Sequence, residues 1–158
     1  MSKGAINFSQ NDDYFTPKQI VDMFGHFEYD PATTAEKSEE LGIPNYDTIE
    51  TNGLTSDWNL YNSIWCNPPF TLKVDFLRKA QEYYDRTGGG CYMLVPISFL
   101  TTTRFHAICK GAKIYLPNGR IKFYDGKGSK PRSPAFGSVI IKLDDHWSIE
   151  LIDIEGKV

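Results

Sequence analysis

The chain has 158 residues, a length typical of one domain, and 41% of them are hydrophobic while 23% are charged. This composition excludes disordered and fibrous classes, and the net charge of −3 argues against a generally basic nucleic-acid-binding protein. The apolar runs at 93–100 and 139–143 are far shorter than the roughly 20 residues that span a bilayer, and residues 1–4 lack a signal core. We therefore expect one cytoplasmic domain over residues 1–158.

The N-terminal third alternates short elements with turns. Residues 1–13 are polar and are expected to form an arm. A helix is predicted over 16–24, because its first two residues, Thr-Pro, suit an N-cap and a first turn and a glycine follows its end. A short strand at 27–29 and a short helix at 34–41 come next. Residues 45–57 support no clear assignment.

The middle of the chain contains a strand–loop–helix unit. Residues 63–66 form an apolar run typical of a buried strand, and the loop Asn67-Pro68-Pro69 ends it. A helix with apolar positions between 74 and 84 follows, up to the glycine run at 88–90. A strand, a helix and a third strand are then predicted at 91–97, 102–109 and 112–116. This alternation predicts an α/β fold with a mostly parallel sheet.

The C-terminal part changes character. Residues 120–124, 136–143 and 148–154 are strand-like, and a loop at 125–135 rich in Gly, Lys, Pro and Ser separates the first two. We expect these strands to form an antiparallel hairpin that completes the sheet. The 125–135 segment is expected to be a flexible basic loop.

The cysteines do not indicate a special chemistry. Cys66, Cys91 and Cys109 are widely spaced, are odd in number and form no CxxC pair. Neither a disulfide framework nor a metal site is therefore expected, and the three side chains are predicted to be small core residues.

Basic residues are concentrated in one part of the chain. Residues 104–132 contain eight Lys or Arg and one Asp, a balance of +7, so the rest of the chain sums to −10. Such asymmetry suits a face that binds a polyanion, and it equally suits a solvated surface. The candidates for contact with the phosphates of a nucleic acid are Arg120, Lys122, Lys127, Lys130 and Arg132. The alternative is that the charges of the 125–135 loop serve solubility.

The tetrapeptide Asn67-Pro68-Pro69-Phe70 carries the most specific chemistry. It follows a predicted parallel strand, and ligands of such sheets bind beyond the carboxyl ends of the strands. One reaction that this loop could serve is methylation of the amino group of adenine. That nitrogen is a poor nucleophile, so a catalyst must hold its two hydrogens and direct its lone pair at a methyl donor. The Asn67 side-chain carbonyl and the Pro68 backbone carbonyl can accept those hydrogens, and the prolines stiffen the loop. Phe70 can stack on a base flipped out of the duplex.

A simpler interpretation of the tetrapeptide exists. Asn and Pro are common in turns between a strand and a helix, and Phe70 could be a core anchor. The preceding strand, the following helix and several other segments of the chain favour the functional interpretation.

Five segments, in this order, resemble the phage-type DNA N6-adenine methyltransferase (Dam) family, whose catalytic motif is Asn/Asp-Pro-Pro-Tyr/Phe. They are Tyr14-Phe15-Thr16-Pro17, Asp30-Pro31-Ala32, Gly53-Leu54 with Asp57-Trp58, Asn67–Phe70, and Gly119-Arg120-Ile121-Lys122-Phe123. The resemblance covers most of the chain. It implies a Rossmann-like class I methyltransferase fold and S-adenosylmethionine as the methyl donor. A departure is that Asp30-Pro31-Ala32 stands where many relatives have a glycine-rich loop.

The resemblance also implies the roles of individual residues. The target adenine would be bound by Asn67, Pro68, Pro69 and Phe70. The S-adenosylmethionine pocket would be lined by Phe15, Thr16, Pro17, Asp30 and Pro31, and Asn67 would border it. Backbone N–H groups at a helix start suit the donor's carboxylate, and a strand-end carboxylate suits its ammonium. Asp57 is a candidate for the donor's adenine amino group and equally for a loop carboxylate that faces water.

The sequence therefore predicts a site-specific DNA methyltransferase that transfers a methyl group from S-adenosylmethionine to adenine N6. The alternatives are methylation of an amino group in RNA or of a protein glutamine, and a non-catalytic DNA-binding relative. No separate recognition domain fits the length, so any sequence preference must come from short loops. The resemblance also suggests a phage or prophage gene that modifies DNA against restriction.

Overall fold

The computed structural model describes residues 15–124, 131–132 and 136–157. The predicted arm at 1–13 and most of the 125–135 loop lie outside these residues. No helix in the described part of the chain is long and apolar enough to cross a membrane.

Nine strands lie in the described ranges. Their bounds are β1 Tyr29–Asp30, β2 Asn45–Tyr46, β3 Ser63–Cys66, β4 Gly90–Pro96, β5 Ala112–Pro117, β6 Phe123–Tyr124, β7 Pro131–Arg132, β8 Ser138–Leu143 and β9 Ser148–Ile152. Seven of them form one sheet in the order β2-β1-β3-β4-β8-β5-β9, and β6 pairs with β7 in a separate antiparallel ribbon. Within the seven-stranded sheet β8 runs antiparallel to both neighbours, and all other neighbouring pairs are parallel.

The same ranges contain four α-helices. They are α1 Lys18–Val21, which continues as a 3-10 turn at Asp22–Phe24, α2 Ala35–Leu41, α3 Lys73–Thr87 and α4 Thr103–Ile108. The Thr34 side chain caps α2 by accepting a hydrogen bond from the Lys37 N–H, and Gly42 ends the helix with φ 72°. Because a left-handed backbone favours glycine, the end of α2 is encoded locally.

Two apolar layers cover the two faces of the sheet. On one face Ile64 and Cys66 of β3 pack in a cluster with Phe76 and Leu77 of α3. On the other face Trp65 of β3 belongs to a cluster that contains residues of α1 and α2. Successive strand residues point to opposite faces, so the apolar run 64–66 of β3 needs cover on both sides.

Most predicted elements are confirmed. The strands predicted at 63–66, 91–97 and 112–116 and the helices at 34–41 and 102–109 are present, with ends that differ by at most one residue. The short strand β2 lies in the 45–57 segment, for which the sequence supported no assignment. The three cysteines are free and buried, as predicted.

The predicted C-terminal hairpin was wrong. Strand β8 does not pair with the 120–124 segment but lies between β4 and β5, where five of its six residues are buried. Three consecutive apolar residues, Val139, Ile140 and Ile141, are fully buried, which requires cover on both faces and favours a central position in the sheet. The 120–124 segment contributes only β6, which pairs with β7 outside this sheet.

The order of the first three strands creates a crevice. From β1 the chain passes through α2 to β2 on one side, and it then returns to place β3 on the other side of β1. In open parallel sheets, ligands bind where the strand order reverses in this way, beyond the carboxyl ends of the strands. Asp30 ends β1 and Asn67 directly follows β3.

Candidate active site

A cavity of about 310 Å³ lies at the carboxyl ends of β1 and β3. Its lining comes from the N-terminal segment, the turn after β1, the start of α2, the loop after β2, and β3 with its following loop. The residues are Phe15, Thr16, Asp30, Ala32, Thr33, Thr34, Ala35, Glu36, Lys37, Leu41, Thr48, Ile49, Glu50, Trp65, Asn67 and Pro69. Phe15, Thr16, Asp30 and Asn67 were predicted to meet the cofactor, and the structure brings these four together. Pro17, Pro31 and Asp57 do not line this cavity.

Asp30 is the buried ionisable group of this cavity. Its side chain is 3% exposed, and its Oδ1 accepts a hydrogen bond of 3.0 Å from the Ala32 N–H. Burial raises the pKa of the Asp30 carboxyl to about 7, and the Ala32 N–H and the charge of Lys37 only partly oppose that rise. A carboxyl held in this way is suited to a cationic ligand, because a nearby positive charge favours its ionised form.

The loop after β2 supplies polar groups that the sequence did not reveal. Thr48 and Glu50 line the cavity, and the Thr48 hydroxyl donates a 3.0 Å hydrogen bond to Glu50 Oε2. Glu50 stands twenty residues after Asp30. An acidic residue about 20 positions after the first strand is where dinucleotide-binding folds hold a ribose hydroxyl. That spacing is the signal that could have identified Glu50.

Hydrogen bonds to Asp47 fix this loop beside the cavity. The Tyr29 hydroxyl and the Ser56 hydroxyl both donate to Asp47 Oδ2. The Asp47 backbone is also bound at both ends, since its N–H donates to Asp30 O and its carbonyl accepts from the Thr33 N–H. The lining residues that follow Asp47 are therefore held by the end of β1.

Pro31, Gly53 and Asp57 lie outside the lining of this cavity. A Cβ atom on Gly53 would lie 2.0 Å from the Pro31 carbonyl oxygen, so only glycine permits this approach. The Trp58 indole N–H donates a 2.8 Å hydrogen bond to the Gly53 carbonyl. Asp57 is exposed and caps the 3-10 helix at Trp58–Leu60 by accepting from the Asn59 N–H at 3.0 Å. Asp57 thus lies in an exposed loop outside this cavity, and its contact with the donor's adenine stays a prediction.

The N-terminal segment contacts Asn67 through the Thr16 side chain. The predicted helix does not begin at Thr16. Pro17 has ψ 140° and is itself the N-cap of α1, so the helix begins at Lys18, later than predicted. The Pro17 carbonyl accepts the N–H groups of Ile20 and Val21. The Thr16 side chain is buried and accepts a 3.1 Å hydrogen bond from Asn67 Nδ2.

Asn67 lines a second, smaller cavity as well. This cavity measures about 20 Å³, and its walls are mostly aromatic and proline side chains. The lining residues are Asn67, Pro68, Phe70, Lys73, Leu94, Pro96, Phe123 and Phe136. The Phe70 and Phe136 ring centroids are 5.3 Å apart with a tilt of 54°. A cavity of this size holds about one or two waters, so these rings must separate before a base can enter.

Only part of the predicted DNA surface lies in the described residues. Arg120 and Lys122 are exposed and alternate with the buried Ile121 and Phe123, and Phe123 lines the second cavity. Lys127, Lys130 and the side chain of Arg132 lie outside the described part of the chain.

The basic segment is partly neutralised by acidic residues from elsewhere. Lys110 forms a 2.7 Å ion pair with Asp85 of α3, and Lys113 forms a 2.8 Å ion pair with Glu150 of β9. The +7 balance of the segment is therefore not the charge of one surface.

Among the described residues no group of three or more His, Cys, Asp or Glu side chains could hold a metal ion.

The mostly parallel α/β sheet, the cavity at its strand ends and the Asn-Pro-Pro-Phe loop between two cavities are consistent with a methyltransferase-like fold. A family model described as DNA N-6-adenine-methyltransferase (Dam) matches residues 3–156, and the chain therefore belongs to that family. No curated protein matches the chain. Because the family consists of S-adenosylmethionine-dependent enzymes that methylate adenine N6 in DNA, the predicted activity is confirmed. None of the alternative activities is favoured.

Proposed function

We propose that the larger cavity binds S-adenosylmethionine and that the target adenine occupies an opened form of the second cavity. The observation that carries this proposal is that Asn67 lines both cavities. One side chain at this position can contact the methyl acceptor beside the methyl donor. Adenine methylation would then take place at the carboxyl ends of β1 and β3.

The lining of the larger cavity fits the methyl donor. S-adenosylmethionine carries an ammonium, a sulfonium and a carboxylate and supplies an electrophilic methyl group when bound. The buried Asp30 carboxyl is suited to the ammonium, and Glu50 with Thr48 is suited to ribose hydroxyls. Trp65 and Ile49 provide apolar surface for a purine ring. The volume of about 310 Å³ is at the lower end of small-molecule sites.

Asn67 and Pro68 orient the amino group. Because Asn67 Nδ2 donates to the Thr16 hydroxyl, Oδ1 is the end of the amide that can accept from adenine N6. The Pro68 carbonyl provides a second acceptor, and Pro69 makes the loop stiff. Holding both N6 hydrogens directs the nitrogen lone pair toward the methyl group. The bound donor would supply the methyl group: an N6–C bond would form, the electron pair of the broken S–C bond would stay on sulfur as a neutral thioether, and the surplus N6 proton would be released to solvent.

Orientation and electrostatics supply the rate enhancement in this scheme, and no covalent intermediate with the protein is required. Positioning two reactants in contact can contribute several kcal/mol. Carbonyl oxygens that face the developing positive charge on N6 contribute further. The Phe70 ring stacks on the flipped base and, with Phe123 and Phe136, excludes water from it.

We further propose that Arg120, Lys122, Lys127, Lys130 and Arg132 contact DNA phosphates near the target base. Support comes from Lys122, which is exposed and directly precedes a wall of the second cavity. The sheet order with a single antiparallel strand, β8, supports a Rossmann-like class I assignment. Two apolar clusters on the faces of one sheet support a single domain. The phage setting and the role against restriction stay predictions.

Transfer of labelled methyl groups tests the proposal. Purified protein is incubated with labelled S-adenosylmethionine and DNA, which is then digested to nucleosides. We expect label in N6-methyladenine, and competition with single-stranded DNA and RNA defines the preferred substrate. Calorimetry with Asp30→Asn and Glu50→Gln tests the cofactor cavity separately. Absence of N6-methyladenine from DNA of varied sequence, with folded and cofactor-bound protein, would contradict the activity. Unchanged cofactor affinity in both variants would contradict the cavity assignment alone.

A further inference from the structure

Lys73 reaches back from the start of α3 onto Phe70. Its ammonium Nζ donates a 3.1 Å hydrogen bond to the Phe70 carbonyl oxygen. The same atom lies 4.4 Å from the centroid of the Phe70 ring and 5.5 Å from that of Phe99. One cation therefore contacts both the backbone and the ring of the aromatic residue in the Asn-Pro-Pro-Phe loop.

The surroundings of Lys73 make this contact a defined one. The next turn of α3 carries Phe76 and Leu77, which are fully buried, so the start of the helix is fixed against the sheet. Phe99, on the other side of the ammonium, is 2% exposed. Phe70 itself is only half-buried and directly follows two prolines. Lys73 thus joins a half-buried ring to two fixed parts of the core.

The position of Lys73 in the helix is unfavourable for the helix itself. The N-terminus of a helix carries a partial positive charge, which favours acidic residues and disfavours lysine. Lys73 is the first residue of the 15-residue α3, and no side chain caps that end. The contacts of Lys73 with Phe70 therefore offset an unfavourable position in the helix.

We propose that Lys73 is a positioning residue that holds the Phe70 ring in the orientation that stacks on the target adenine. This inference rests on the proposed function, because it takes the second cavity as the site of the flipped base. A cation over one ring face and a hydrogen bond to the same residue's carbonyl limit both ring rotation and loop movement. Lys73 would act on DNA binding through Phe70 and would leave the cofactor cavity unchanged.

Three variants test this role. Lys73→Met keeps an unbranched side chain without the terminal ammonium and so removes the charge, and Lys73→Arg keeps the charge. Lys79→Met is the control, because Lys79 lies on the same helix and lines a separate depression with Asp57 and Arg86. The measurements are kcat and KM for plasmid DNA free of adenine methylation, S-adenosylmethionine affinity by calorimetry, and the thermal midpoint.

We expect Lys73→Met to raise KM for DNA by roughly tenfold, the loss expected for one cation–π contact and one charged hydrogen bond. Lys73→Arg should restore most of that loss, and Lys79→Met should match the wild type. Cofactor affinity should stay the same. The thermal midpoint of Lys73→Met should fall only slightly, because the lost contacts with Phe70 are offset in part by relief of an unfavourable charge at the helix start. A purely structural lysine would instead lower the midpoint and leave KM for DNA unchanged.

A double variant separates action through Phe70 from direct phosphate contact. If Lys73 acts through Phe70, adding Lys73→Met to Phe70→Ala should cause little further loss. A phosphate contact would make the two losses additive and would reduce the slope of log affinity against log salt by about one. Additive losses, or a Lys73→Met enzyme equal to an active wild type, would overturn the inference. A wild type without methylation would instead count against the proposed function.

Discussion

The Asn67 amide nitrogen donates a 3.1 Å hydrogen bond to the Thr16 hydroxyl, and this bond joins residues 51 positions apart. It connects the loop after β3 with the N-terminal segment at the larger cavity. In a side-chain amide the nitrogen donates and the oxygen accepts, and in this bond the nitrogen of Asn67 is the end that faces Thr16. Thr16 is thereby linked to the proposed chemistry, although the sequence placed it only in the cofactor pocket.

Thr16→Val should lower kcat by roughly tenfold, because losing a hydrogen bond that orients a reacting group costs about 1.4 kcal/mol. Valine keeps the shape of threonine and removes the acceptor of the Asn67 amide. Thr16→Ser keeps the hydroxyl and should retain nearly full kcat. Steady-state methylation of plasmid DNA, with cofactor affinity measured in parallel, checks this. A Thr16→Val enzyme with normal kcat would show that Asn67 is oriented by other contacts.

Asn67→Ala should reduce the methylation rate at least about 100-fold, as expected when an acceptor of developing charge is removed. Cofactor affinity should change little, because the larger cavity keeps Asp30, Glu50 and Trp65. Asn67→Asp is the matched variant, since a carboxylate oxygen can still accept from the amino group, and we expect it to keep part of the activity. Single-turnover rates with saturating cofactor provide the comparison. Equal losses in both variants would mean that the amide nitrogen matters more than the oxygen.

Local patterns in the sequence predicted the elements that carry the site. The run at 63–66 is apolar, has prolines after it and an amphipathic segment beyond, and these local signals define β3, its loop and α3. The prediction of Asp30 relied on family resemblance, and the structure places it in the cavity because β1 and β3 are neighbours in the sheet. The location of the proposed active site was thus accessible from the sequence.

Contacts between distant segments were not accessible in this way. Strand β2 has only two residues, both exposed, so no hydrophobic period marked the loop that carries Thr48 and Glu50. Phe123 and Phe136 line the second cavity together with Leu94 and Pro96 of β4, a contact between distant segments that spacing in the sequence does not encode. The insertion of β8 between β4 and β5 was missed for the same reason. Local patterns predict elements, whereas long-range packing completes the cavity.

Asp57→Ala should leave cofactor affinity unchanged and lower the free energy of unfolding by about 1 kcal/mol, the usual cost of removing an N-cap. The reason is that Asp57 caps the 3-10 helix at Trp58–Leu60 and lies away from the larger cavity. Asp57→Asn can still accept from the Asn59 N–H and should be close to the wild type. Urea unfolding and calorimetry measure the two properties. A tenfold loss of cofactor affinity in a folded Asp57→Ala protein would support the cofactor role that the sequence suggested.

The stability of the ligand-free protein should depend on Asp30. Its pKa is raised from 3.8 to about 7 in the folded chain, so the folded state binds a proton more tightly than the unfolded state. Asp30 therefore lowers stability progressively as pH rises from about 4 to about 7, by at most ~4 kcal/mol at ~1.4 kcal/mol per pH unit. The amide oxygen in Asp30→Asn could still accept the Ala32 N–H, so this variant should unfold at a higher temperature than wild type at a pH of about 7.5. Near pH 4 the two thermal midpoints should converge, and a constant difference would contradict the raised pKa.

Cofactor affinity should rise with pH through the same range, because the ionised Asp30 carboxylate attracts the cationic methyl donor more strongly than the neutral acid does. Burial holds the pKa of Asp30 at about 7 without ligand, and a bound cation would lower it, so binding should release protons. Calorimetry between about pH 5.5 and about 7.5, below the titration of the donor's own amine, measures both effects. In Asp30→Asn the affinity should be weaker and nearly independent of pH. Glu50→Gln is the control, because its affinity should be lower while the pH dependence and the proton release persist. A wild-type affinity that does not change over this range would place the donor's ammonium away from Asp30.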